Sequence, residues 1–107
     1  MINMETIRHN LKEVKCYYSM QHLFVSKGRT QLLPPDYLVK RVTEYEKIMQ
    51  AAPLRLRLAY DNLYRLHKTQ KEYALDCGVS EKYIQILNKR IIVFIFNFYN
   101  KEQQNDV

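Results

Sequence analysis

The segment from residue 69 to residue 90 contains the feature that most constrains the fold. Gly78 lies in its middle and is one of only two glycines in the chain. Glycine adopts positive φ without a Cβ clash, so it suits a tight turn between two helices. Ala74, four residues earlier, is small enough to let two crossing helices approach closely. The segment therefore predicts two short helices joined by a sharp turn.

Each of these two helices has a residue that can cap its start. Thr69 precedes the first helix, and Glu72 follows at the spacing of a capping box, in which each residue bonds the backbone N–H of the other. Ser80 is the predicted N-cap of the second helix. We interpret Val79 as the apolar plug of the turn. The residues expected to form the shared core are Tyr73, Ala74, Cys77, Val79, Ile84 and Leu87.

The second helix has a polar outer face. Lys, Gln, Asn and Arg occur on or beside it, and these residue types bond base edges and phosphates. The pattern favours a unit that binds double-stranded DNA, with a plain helical hairpin and a solvated face as the alternative. The outward positions are Ser80, Glu81, Lys82, Gln85, Ile86 and Lys89, and the flanking positions are Tyr83, Asn88 and Arg90.

Composition places the chain in the all-α class. With 107 residues, of which 47% are hydrophobic, it can form one domain with a modest core. Two glycines and three prolines leave little turn chemistry, which disfavours an all-β fold. The net charge of +6 favours an anionic partner such as nucleic acid. Cys16 and Cys77 are too few for a disulfide framework, and we expect both to be small buried hydrophobic residues.

Helical periodicity also accounts for the residues before the motif. One helix is predicted over 5–24, a second begins near Pro35, and a third runs from Pro53 to about His67 with Leu66 and His67 inward. Gly28 and the two adjacent prolines predict a loop at 26–35. The expected architecture is a bundle of four to five helices within residues 1–100, followed by a polar tail at 101–107.

The run from Ile91 to Tyr99, IIVFIFNFY, is apolar on nearly every side. It is shorter than the roughly 20 apolar residues that a membrane span needs. Its β-branched and aromatic content would also fit a strand. Because no helix breaker separates it from Arg90, we interpret it as the continuation of the preceding helix. A helix that is apolar all round must be covered, either by the core of the domain or at a homodimer seam.

Catalytic and cofactor-binding patterns are not found in the sequence. His9, His22 and His67 lack metal-ligand spacing with cysteines or carboxylates, and there is no glycine-rich phosphate loop. The first ten residues contain no apolar run typical of a signal peptide. We therefore expect a cytoplasmic protein that is not an enzyme and has no cofactor, metal or membrane partner. RNA binding would need a platform of exposed aromatic side chains, which the pattern does not indicate.

The motif from Tyr73 to Lys89, Y-A-x-x-x-G-V-S-x-x-Y-I-x-x-L-x-K, resembles the promoter-contacting C-terminal domain of bacterial sigma factors. The wider layout is similar to small phage late-transcription regulators of the ArpU and RinA kind. The resemblance implies a sequence-specific regulator of transcription encoded by a phage or mobile element. By the same resemblance, Ser80, Lys82, Tyr83, Gln85, Ile86 and Lys89 would face the major groove, and Thr69, Lys71 and Arg90 would lie near phosphates.

One departure from the sigma pattern affects the expected partners. Sigma domains end soon after the recognition helix, whereas here the helix continues into IIVFIFNFY. This continuation favours self-association over the RNA polymerase contact that the resemblance implies. The alternative function is a small helical protein that uses this apolar segment to bind a host protein, such as RNA polymerase or a nuclease, and to inhibit or redirect it.

Overall fold

The computed structural model describes residues 2–24 and 33–105, and it is all-helical with no strand in those ranges. The predicted all-α class is therefore confirmed. Residues 26–32 of the predicted loop lie outside the described residues. The elements are α1 (Met4–Ser19), α2 (Gln21–Phe24), α3 (Asp36–Gln50), α4 (Leu54–Tyr60), a π-helical turn (Asp61–Arg65), α5 (Gln70–Cys77) and α6 (Glu81–Asn105).

One apolar core joins α1, α3, α4, α5 and α6. A polar pair lies within it: Asn10 of α1 is buried, and its Nδ2 donates a hydrogen bond of 3.0 Å to Tyr45 Oη of α3. A buried amide without a partner would be costly, so this bond favours one register between the two helices. The largest fully buried side chains are Tyr45, Tyr60, Ile7, Leu11, Ile48, Met49, Ile84, Ile91, Ile95 and Val14.

The third predicted helix begins after Pro53 as expected but differs at its end. It is α-helical only to Tyr60 and then widens into the π-helical turn, where the Leu66 N–H donates to the Asp61 carbonyl at 2.8 Å. His67 follows with φ 44°. The wider turn changes the helical phase, so Leu66 and His67 are exposed. The prediction that they face inward is wrong.

The prediction that both cysteines are buried is also wrong, because Cys16 and Cys77 are exposed. Cys16 follows the buried Val14 by two residues, which places it about 200° around the helix from that side chain. Cys77 is the last residue of α5 and lies next to the turn. The predicted first helix is shorter than expected, because α1 ends at Ser19 before the short α2.

α6 is the longest helix in the described ranges, and it confirms that IIVFIFNFY continues the helix that begins after Ser80. It extends through Asn105 and so includes part of the predicted polar tail. With a rise of about 1.5 Å per residue, its 25 residues span roughly 37 Å. In the described part of the chain, no helix is long and apolar enough to traverse a bilayer.

Candidate nucleic-acid interface

Local hydrogen bonds hold the start of α5. The Glu72 N–H donates to Thr69 Oγ1, and the Thr69 N–H donates to Glu72 Oε1, both at 3.1 Å. The predicted capping box is therefore confirmed. The hydrogen bonds from Thr69 lower the pKa of the Glu72 carboxyl, because they favour its charged form.

The turn between α5 and α6 depends on the backbone of Gly78. Its φ is +68°, the left-handed conformation, and a Cβ placed there would meet nothing within 4 Å. Glycine is needed for this conformation and not for space. Val79 donates its N–H to the Ala74 carbonyl at 3.0 Å, but its side chain is 40% exposed. The prediction that Val79 plugs the turn is therefore wrong.

The first turns of α6 separate inward from outward residues. Ser80 Oγ accepts the Tyr83 N–H at 3.1 Å, as expected of an N-cap. Ile84 and Leu87 are buried on the inner side, together with Tyr73 and Ala74 of α5. The two helices therefore share a core and leave one side of α6 open to solvent. The exposed residues of this segment are Ser80, Glu81, Lys82, Gln85, Ile86, Lys89 and Arg90.

The remaining predicted contact residues surround that face. Thr69 and Lys71 are exposed at the start of α5, and Tyr83 is half-buried. Among the ion pairs of the described residues, none involves Lys71, Lys82, Lys89 or Arg90. The exposed carboxylate of Asp76 on α5 is paired with Lys68 Nζ at 2.8 Å. The four basic residues without an ion pair are therefore available to an anionic partner.

Asn88 does not belong to the outer face. It is half-buried, and its Oδ1 accepts a hydrogen bond from Tyr64 Oη of the π-helical turn. Burial raises the pKa of the Tyr64 hydroxyl to about 12. Asn88 lies four residues from each of two buried isoleucines, Ile84 and Ile92, so its helical phase is inward. Helical phase is therefore the sequence signal that distinguishes the inward Asn88 from the outward Lys89 and Arg90.

A second open surface overlaps the C-terminal end of the polar face and continues along α6. We call it the α6 groove: a volume of about 480 Å³ lined by Leu56, Ile86, Lys89, Arg90, Val93, Phe94 and Asn97, with an adjoining volume of about 400 Å³ lined by Ala51, Phe94, Asn97, Phe98 and Lys101. Phe94 and Asn97 border both volumes. Sequence reasoning identified the apolar run of α6 but not Ala51 or Leu56, because their position depends on how α4 packs.

Among the side chains that the structure describes, no group of three or more His, Cys, Asp or Glu residues is arranged to hold a metal ion. Comparisons with protein families, curated proteins and solved structures found no significant match to this chain.

Proposed function

We propose that this protein binds double-stranded DNA in a sequence-specific manner and regulates transcription, with α5, the Gly78 turn and the first half of α6 as its helix-turn-helix. The observation that carries the proposal is the solvent-exposed side of α6. There Lys82, Gln85 and Lys89 are all exposed, while Ile84 and Leu87 anchor the same turns in the core. A polar helix presented in this way matches the requirement for entering the major groove.

The residues of this face would have different roles. Gln85 has the amide geometry for bidentate bonding to adenine, and Ile86 offers an apolar contact for a thymine methyl group. Lys82, Lys89 and Arg90 would attract phosphates, as would Lys71 at the start of α5. Ser80 and Tyr83 would face the major groove, and the Thr69 hydroxyl would bond a phosphate oxygen of the DNA. The phage or mobile-element origin and the RNA polymerase contact remain expectations from the family resemblance, and the cytoplasmic location remains an expectation from the sequence of the first ten residues.

The proposal is tested by selecting binding sites from a pool of random duplexes and measuring affinity for the selected site. Four cations near phosphates would give a slope of log K against log salt of roughly −3 to −4, because each neutralised phosphate releases condensed counterions. A chain that enriches no sequence, and whose DNA affinity is negligible at low salt, would contradict the proposal.

A double substitution identifies the reading helix. Gln85→Ala with Lys89→Ala should abolish preference for the selected site, since one good bidentate base contact contributes about 1–3 kcal/mol. Lys47→Ala with Gln50→Ala is the matched control, because it removes the same residue types from exposed positions on α3. The control should retain affinity within about twofold, as expected for surface residues away from the interface. Circular dichroism should show that both variants remain folded.

The second candidate function is binding to another protein through the α6 groove. Its supporting observation is the half-buried apolar surface at Val93, Phe94 and Phe98. A homodimer through residues 91–99 belongs to the same class of hypothesis. Salt separates these interactions from DNA binding, because apolar contacts do not weaken steeply as ionic strength rises.

A further inference from the structure

The α6 groove has the dimensions and the surface of a helix-binding site. From Ile86 to Lys101 it follows α6 for about 22 Å, the length of roughly four helical turns. Its side chains include Leu56 of α4 together with Val93 and Phe94 of α6. An amphipathic helix binds such a groove by placing its apolar stripe against the floor.

Charge indicates which kind of helix would fit. Three cationic residues, Lys89, Arg90 and Lys101, border the two volumes, and none of the lining side chains that the structure describes is acidic. A complementary partner therefore presents carboxylates beside its apolar stripe. A second copy of this chain is a poorer complement, because each copy has a net charge of +6 and would bring the same cations to a symmetric seam.

We propose that the α6 groove docks an acidic amphipathic helix of a partner protein, and that this docking excludes DNA. The partner's leucine-like side chains would cover Val93 and Phe94, and its carboxylates would pair with Lys89, Arg90 and Lys101. Asn97 lies between the two volumes and is exposed, so its amide is available to a polar group on the docked helix.

Exclusion follows from shared residues. Ile86, Lys89 and Arg90 line the groove and also belong to the proposed DNA-contacting set. An acidic helix bound over these side chains would pair with their positive charges and block the approach of a DNA duplex. This regulatory step rests on the proposed DNA-binding function, whereas binding of the helix itself does not.

The probe is a fluorescein-labelled helical peptide of 18 residues with leucines at positions i, i+3, i+4 and i+7 and glutamates flanking them. One control peptide replaces every glutamate with lysine, and another keeps the composition but scrambles the leucine spacing. Fluorescence anisotropy with the full chain should show binding of the first peptide at least about tenfold tighter than either control, a difference of about 1.4 kcal/mol. Equal binding of the scrambled peptide would overturn the proposal, because charge alone would then explain it.

Two variants locate the site. Asn97→Glu places a carboxylate in the middle of the groove, outside the DNA-contacting set, and should weaken binding of the acidic peptide about tenfold. Gln21→Glu makes the same change of charge at an exposed position on α2 and should leave peptide binding unchanged. Equal loss in both variants, or no loss in either, would contradict docking in the groove.

The oligomeric state and a competition assay complete the test. If sedimentation shows that the chain alone is a dimer that Asn97→Glu dissociates, a second copy occupies the groove and the proposal is wrong. If the peptide binds and displaces the selected duplex, both parts hold. If the peptide binds but the protein never selects DNA, the proposed function fails while docking stands. If a duplex and the peptide bind together, exclusion is wrong.

Discussion

The two halves of α6 belong to one continuous helix but present different surfaces. In the half from residue 81 to residue 90, Ile84 and Leu87 are buried and the outer side is charged. In the half from residue 91 to residue 101, Ile91, Ile92 and Ile95 are buried and the outer side is largely apolar. The inner stripe fixes the position of the helix, and the outer side chains alone distinguish a candidate DNA surface from a candidate protein surface.

The two halves are also held by different means. Besides its buried residues, the first half has local support from the capping box at Thr69, the Gly78 turn and the Ser80 cap. The second half is held by its buried residues and by contacts with α3. Tyr99 Oη of α6 donates a hydrogen bond to Glu44 Oε1 of α3, and the Tyr99 ring packs near Tyr45. Changes in local backbone features should therefore affect the first half most, and changes in packing should affect the second.

The largest expected effect separates the inner stripe from the outer side. Ile91→Ala removes a side chain with no exposed surface, so we expect a loss of about 2–5 kcal/mol in the free energy of unfolding from lost burial and the cavity left behind. Ile86→Ala, in the other half, removes a side chain that is 44% exposed and should cost less than about 1 kcal/mol. Urea denaturation of both variants measures the difference.

The same pair also tests the functional assignment. Ile86→Ala should weaken binding to a selected duplex while the protein remains folded. If Ile91→Ala costs no more than Ile86→Ala, the inner stripe does not hold α6, and the contrast between the two sides fails.

The next effect concerns the hydrogen bond that ties the first half of α6 to the π-helical turn. Tyr64 is buried, and burial raises its pKa from 10.0 to about 12. The folded state keeps this hydroxyl protonated after the unfolded chain has begun to ionise. The raised pKa therefore contributes fully to the free energy of unfolding below pH 10. This contribution of about 2–3 kcal/mol is lost as the pH rises from 10 to 12.

Tyr64→Phe tests this linkage. Between pH 10 and pH 12, the wild type should lose about 2–3 kcal/mol more than the variant in the free energy of unfolding. The variant should also be less stable at pH 8 by about 1 kcal/mol, because the Asn88 carbonyl loses its donor. Tyr37→Phe removes an exposed hydroxyl and should match the wild type at pH 8. Parallel pH profiles for wild type and Tyr64→Phe would contradict the assignment.

Features set by neighbouring residues were predictable from the sequence. The caps at Thr69 and Ser80 act over three residues, and Gly78 acts through its own backbone. The inward positions of Ile84 and Leu87 follow from helical spacing. The continuous α6 was also predicted, because no proline or glycine interrupts it.

Features that depend on packing were not predictable in the same way. No proline or glycine indicates the π-helical turn at Asp61–Arg65 in the sequence. The turn changes the helical phase of Leu66. The partner of Asn88 is 24 residues away, so its role appears only when the turn packs against α6. The α6 groove requires Leu56 and Ala51 beside Phe94, which spacing within one helix cannot indicate.

A smaller effect is expected at the turn before the first half. Gly78→Ala adds a Cβ that meets no neighbour, so the cost is that of the left-handed conformation alone, about 1–2 kcal/mol. Gly78→Asn should cost less, because asparagine tolerates positive φ better than alanine does. Thermal unfolding of the two variants measures this order. Equal costs for alanine and asparagine would show that the conformation of the turn is not the cause.

The smallest effect tests the capping box that starts α5. Thr69→Ala removes the acceptor of the Glu72 N–H and should cost about 1 kcal/mol in the free energy of unfolding. Thr43→Ala is the matched control, since Thr43 is an exposed residue inside α3 and its hydroxyl only donates to the Val39 carbonyl. Alanine is the better helix former at an interior position, so the control should be neutral or slightly stabilising.

Acid titration sharpens this last test. The pKa of Glu72 is lowered in the folded state, so its contribution to stability is present above the unfolded pKa and is lost as pH falls through the folded value. Thr69→Ala removes the side-chain part of that shift, so its penalty should shrink as the solution is acidified below pH 4.5, the ordinary value for this carboxyl. The Thr43→Ala difference should stay constant over the same range. If the penalty for Thr69→Ala does not depend on pH, the hydroxyl cap stabilises α5 without the reciprocal carboxylate of Glu72. The local support of the first half of α6 would then be weaker than the hydrogen-bond geometry indicates.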